Sequence, residues 1–125
     1  MHLSPHEQEK LLIYVAADIA AKRRLDPVEP VKLNYPEVVA LISVHIMEGA
    51  RRGKPVLDLA HEAARLFYPG ELMEGVFEMV RDLQVEATFP DGSKLCSVRE
   101  LVDPSLVPVP DPEADSASMA AGEQS

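Results

Sequence analysis

The chain has 125 residues, a single Cys and a formal charge of -9, with no Trp and few other aromatics, so it holds one modest domain with an aliphatic core and no internal disulfide. All 12 Lys and Arg lie at or before Arg99; Glu100, Asp103, Asp111, Glu113, Asp115 and Glu123 follow, which leaves -3 on the rest. A weakly acidic body argues against a nucleic-acid partner, no run is long enough to cross a bilayer, and the opening MHLSPHEQEK lacks the pattern of a secretory signal. The lone thiol fits a reducing compartment.

Ser4-Pro5-His6-Glu7 predicts a helix start, with Ser4 as N-cap, Pro5 in the first turn and Glu7 closing a capping box. Leu12, Val15, Ala16 and Ile19 recur at helical spacing as its apolar face, and Lys22, Arg23 and Arg24 suit its C-terminal end, so the first helix spans roughly 5–24. Asp26-Pro27-Val28-Glu29-Pro30 breaks it. Asn34-Tyr35-Pro36-Glu37 starts a second helix by the same logic, with Val38, Leu41, Ile42 and Ile46 as its buried stripe and Gly53 at its end. A third helix over about 55–66 is expected to bury Leu57, Leu59 and Leu66 before Tyr68-Pro69-Gly70 stops it. A fourth, over about 71–80, presents Leu72, Met73, Val76 and Val80.

QVEATFPDGSKLCSVRE (84–100) then alternates like a strand and reverses at Pro90-Asp91-Gly92, where Gly92 takes a positive φ. A three-residue turn pairs Phe89 with Ser93, Ala87 with Leu95 and Val85 with Ser97, placing Val85, Ala87, Phe89 and Leu95 on one apolar face. A lone hairpin is marginal in water, so this one needs a helix beneath it or another chain at its edge. Residues 104–125 are rich in Pro, acidic and small residues and read as a disordered tail after a 1–103 domain. The expected fold class is α+β: a mainly helical bundle of about four helices with a C-terminal antiparallel β-hairpin.

Self-sufficient chemistry is hard to find. In His61-Glu62-Ala63-Ala64-Arg65 the second His of a zinc-protease helix is replaced by Arg65, which offers no neutral nitrogen donor. His2, His6 and His45 have no pairing in their spacing, and Cys96 sits mid-strand as a small hydrophobe. Gly49, Gly53, Gly70 and Gly92 form no phosphate loop, and Glu71, Glu74 and Glu78 read as a solvated face of the fourth helix. No catalytic, cofactor-binding or metal-binding residue is assigned.

HLSPHEQEKLLIYVA, KLNYPEVVALIS, IMEGARRGK and LMEGVFEMVRDLQVEATFPDGSKL resemble, in order and spacing, the gamma subunit family of urease over about 2–98. The NYPE helix start and the QVEATFPDG hairpin are its specific parts. The resemblance implies a structural, non-catalytic small subunit of a nickel-dependent hydrolase of urea. Its partners would be alpha and beta chains arranged about a threefold axis in the cytoplasm, with nickel and the catalytic residues in the alpha subunit. Phe77 stands where that family commonly has a proline, the 26–31 segment is longer and more Pro-rich than usual, and 60–70 matches poorly. The competing reading from the residues alone is a stand-alone helical adaptor that binds through its acidic tail or hairpin edge; a small metallohydrolase using His45, His61 and Glu62 ranks below both.

Overall fold

The structure, a computed structural model, describes residues 2–28, 32–68 and 70–102. Four helices precede a two-stranded antiparallel sheet: α1 (Pro5–Arg24), α2 (Tyr35–Arg51), α3 (Val56–Ala63), α4 (Val76–Met79), β1 (Arg81–Phe89) and β2 (Gly92–Glu100). The two long helices begin where local hydrogen bonding dictates. Ser4 Oγ accepts from the Glu7 amide at 3.2 Å while the Glu7 carboxylate accepts from the Ser4 amide at 3.0 Å; Asn34 and Glu37 exchange the same pair of bonds, each at 3.0 Å. Such a cap contributes about 1 kcal/mol by satisfying amides that the helix itself leaves free.

Helix α2 is the axis of the core. Val38, Ile42 and Ile46 are fully buried, and so are Ala50 and the close-packed Gly49. Helix α1 packs on one side of α2, β1 on another, and α3 bridges α2 to β2. The hairpin is therefore carried by helices, as its marginal intrinsic stability requires. Ser43 is the buried polar residue of α2, and its hydroxyl donates to the Val39 carbonyl at 2.7 Å.

Three expectations are corrected. Helix α3 is shorter than 55–66, and Leu57 is 83% exposed: Leu59 and Ala63 lie on the face toward α2, and the helical repeat turns Leu57 away from it. The fourth helix is a single turn, because Glu71 to Met73 are drawn into extended pairing with Leu33. The Leu33 amide donates to the Glu71 carbonyl at 2.8 Å and the Met73 amide to the Leu33 carbonyl at 2.9 Å, after which Gly75, at φ 85°, redirects the chain. Phe77 lies in that turn, half-buried against the core. Within the Pro-rich 26–31 segment, residues 29–31 lie outside the described residues, as do Pro69 and the whole of 103–125.

The hairpin register is the third correction. Phe89 pairs with Gly92, Ala87 with Lys94, Val85 with Cys96 and Leu83 with Val98, one residue away from the expected pairing. The turn consumes Pro90 and Asp91 only, so Gly92 counts as a strand position and every partner on β2 shifts by one. Because side chains alternate, that step swaps the faces: Cys96 and Val98 are fully buried and Leu95 is 59% exposed. Two apolar side chains on one parity outweigh one on the other. Lys94 snorkels over the Phe89 ring, its ammonium 5.4 Å from the centroid.

Gly92 does take the positive φ expected of it, at 125°, and a Cβ there would meet no atom within 4 Å. The cost of Gly92→Val is therefore backbone strain, about 1 to 3 kcal/mol. Denaturant melts of the two chains check this, and equal midpoints would show that the turn tolerates a branched side chain.

Candidate functional site

The residues that sequence inspection weighed for chemistry are only partly brought together. His45 on α2 and Glu62 on α3 meet at 3.0 Å, His45 Nε2 to Glu62 Oε1. Lys54, in the connection between these helices, donates to both oxygens of the same carboxylate, at 3.0 and 3.2 Å. An ammonium therefore occupies the position a cation would need. His61 points elsewhere, its Nδ1 lying 3.1 Å from Arg65 Nη1 on the exposed side of α3. This donor set does not fit a metal, and among the described residues no three or more His, Cys, Asp and Glu converge as a ligand cluster.

The cluster has an electrostatic consequence. The Lys54 ammonium, with a further hydrogen bond from His45, holds the Glu62 carboxyl below its usual range despite partial desolvation. A depressed carboxyl stabilises the fold above its unfolded pKa, and that contribution is lost as pH falls through the lower folded value. Glu62→Gln should thus cost up to about 1 kcal/mol at neutral pH, a modest figure because the pair is solvent-screened, and the gap to the parent chain should close in acid. Thermal melts of both chains from neutral to acidic pH test it; a gap that persists unchanged to the lowest pH counts against the pairing.

Cys96 is sealed beneath α3, its Sγ 3.7 Å from the Val56 carbonyl, and burial pushes its thiol pKa up, which disfavours the nucleophilic thiolate. The expected acidic face of Glu71, Glu74 and Glu78 does not exist as drawn, since the first two precede α4. Glu71 is an anchor: Arg24 Nε lies 2.8 Å from its Oε2, and Arg24 also donates to the Leu66 carbonyl at 2.7 Å while its guanidinium covers the Phe67 ring at 5.2 Å. One arginine thereby ties the end of α1 to the loop after α3.

What sequence inspection missed is on α1. The side chains that pack against α2 are the small Ala17 and Ala20, with Ile13 half-buried beside them. The periodic set Leu12, Val15, Ala16 and Ile19 is centred roughly 120° round the helix from these, given about 100° per residue. It faces solvent: Leu12 is 67%, Val15 48% and Ile19 50% exposed, with Leu11 and Tyr14 extending the patch. The helix thus packs mainly through alanines and leaves a contiguous apolar face uncovered within this chain. The signal was in the sequence, since Ala17 and Ala20 also fall at helical spacing; size alone favoured the wrong stripe.

The body's similarity to known proteins agrees with an assembly role. The family described as "Urease, gamma subunit" matches residues 1–102. The urease subunit gamma of Streptomyces coelicolor is 59% identical over 100 residues, covering 80% of this chain and 97% of that protein. With the helical body, the hairpin and an outward apolar helix face all inside the matched region, the chain belongs to the urease gamma subunit family.

Proposed function

We propose that the chain is the structural, non-catalytic small subunit of a nickel-dependent urease complex that hydrolyses urea to ammonia and carbamate or carbon dioxide. Its partners are alpha and beta chains in a cytoplasmic, threefold arrangement of heterotrimers, and nickel resides in the alpha chain. The observation that carries the reading is the solvent-facing aliphatic stripe of α1 in a body that matches the gamma subunit family from end to end. The donor chemistry agrees: Lys54 saturates Glu62, Arg65 stands beside His61, and Cys96 is buried, so no described constellation is built to activate a water. The stand-alone adaptor is not favoured, because the similarity runs through the helices and hairpin and not merely through a binding motif.

Co-expression with the large and middle urease chains, followed by native mass measurement and a urea-hydrolysis assay, tests the proposal. The expected result is a hetero-oligomer containing this chain and activity only in that oligomer. Ureolysis by the purified chain alone, with stoichiometric nickel, would overturn it.

A further inference from the structure

A groove of about 680 Å³ lies between α3 and the base of the hairpin. Arg65 reaches it from just beyond the end of α3, Arg81 from the start of β1 and Arg99 from the end of β2. The other cations of the described surface are mostly matched: Lys22, Arg23, Arg24, Arg51, Lys54 and Lys94 each sit within ion-pair distance of a carboxylate. Of the four described arginines without such a partner, Arg52, Arg65, Arg81 and Arg99, three line this groove. Arg65 hydrogen-bonds to His61, and Arg81 donates to the Glu78 carbonyl at 3.1 Å, so both guanidinium groups rest on neutral acceptors. Asp82 and Glu100 also line the groove, yet neither lies within ion-pair distance of these arginines. Three guanidinium groups against these two carboxylates leave the groove wall with a positive excess in a chain whose net charge is -9.

The chain supplies an acidic complement. Val102, whose amide donates to the Ala64 carbonyl at 2.7 Å, is itself part of the groove wall. Beyond it come 23 residues carrying Asp103, Asp111, Glu113, Asp115 and Glu123 and no Lys or Arg. They also lie beyond the family match, which stops at residue 102. We infer that the acidic segment 111–115 of this chain docks in the Arg65, Arg81 and Arg99 groove. Asp111 lies nine residues beyond Val102, a tether of at most about 30 Å that lets the segment fold back over the groove from which it leaves. A short tether raises the segment's effective concentration at the groove, to order millimolar where its span matches the gap. Solvent-exposed carboxylate–guanidinium pairs are individually weak, and a millimolar intrinsic affinity suffices for the docked state to be well populated. Docking of this kind is screened by salt. It needs no apolar burial, in keeping with a segment whose composition builds no core of its own. The inference is independent of urease assembly, since groove and segment are both on this chain.

Paramagnetic relaxation enhancement in the full chain tests it. A spin label at Ser116→Cys reacts selectively, because Cys96 is fully buried. At low salt the amide signals of Arg65 and Arg81 should broaden several-fold more than at about 0.5 M salt, where the Debye length is only a few ångströms. The same broadening should vanish in the labelled D111N/E113Q/D115N chain, whose changes leave every described residue as it is. Broadening that is equal at both salt concentrations, or equal in the neutralised chain, would show tether proximity alone and overturn the inference. Broadening of isotope-labelled chain by a separate spin-labelled copy, as strong as that within one chain, would assign the groove to a second molecule and overturn it as well.

Discussion

Replacing Leu12 and Val15 together by Asp should weaken entry of the chain into the urease complex at least about 100-fold while leaving its own fold in place. Both side chains are about half or more exposed in the isolated body, so exchanging the two for Asp lowers the monomer's stability by only about 1 kcal/mol. In an interface they become central aliphatic anchors, each carrying of order 1–2 kcal/mol, and two carboxylates buried there without partners add a desolvation penalty to that loss. The pattern that checks the proposal is retained helicity and melting temperature with loss of co-purification. Undiminished assembly of the double variant would mean that α1 faces solvent in the complex too, and that the contact surface lies elsewhere.

The second large effect is in the core, where α2 and α3 meet through Gly49 and Leu59. A Cβ on Gly49 would overlap Leu59 Cδ2, so the fully buried Leu59 side chain must shift within the core to admit it. Gly49→Ala should therefore destabilise the body by about 1–3 kcal/mol through overpacking, despite the better helix propensity of Ala. Leu59→Ala should cost about 2–5 kcal/mol through lost burial and the cavity left behind. The two changes touch, so they should not add: the methyl introduced by Gly49→Ala occupies part of the space vacated at Leu59, and the double variant should be more stable than the sum of the single losses predicts. Denaturant unfolding of the four chains closes this cycle. Simple additivity would show that the helices separate instead of meeting side chain to glycine.

The same two helices show which features could be read from the sequence. Ser4 and Asn34, each followed three residues later by Glu, place the starts of α1 and α2 because a capping box is made entirely within four residues. Gly92 in its turn is legible for a related reason: a positive φ is a local steric demand. The alternation of Val85, Ala87 and Phe89 likewise announces which face of β1 is buried, since those residues have no competing set on the other parity. The absence of a zinc-protease helix was also decided by residue type, Arg65 standing where a second histidine would have been required.

Tertiary structure decided the rest. Whether Leu95 or the Cys96 and Val98 pair would be buried depended on a turn two residues long instead of three, and on α3 covering one face of β2. The length of the fourth helix depended on Leu33, nearly forty residues upstream, capturing the backbone around Leu72. Which stripe of α1 faces inward depended on how closely α2 approaches, and the alanines Ala17 and Ala20 admit it more closely than Leu12 or Ile19 would. The convergence of Arg65, Arg81 and Arg99 on the groove from which the acidic segment departs joins three elements distant in the chain. Caps, turns and one-sided alternation satisfy hydrogen bonds and steric limits among neighbouring residues, so the sequence alone determines them; the choice between two available apolar faces is made by what packs against them, and that partner is remote.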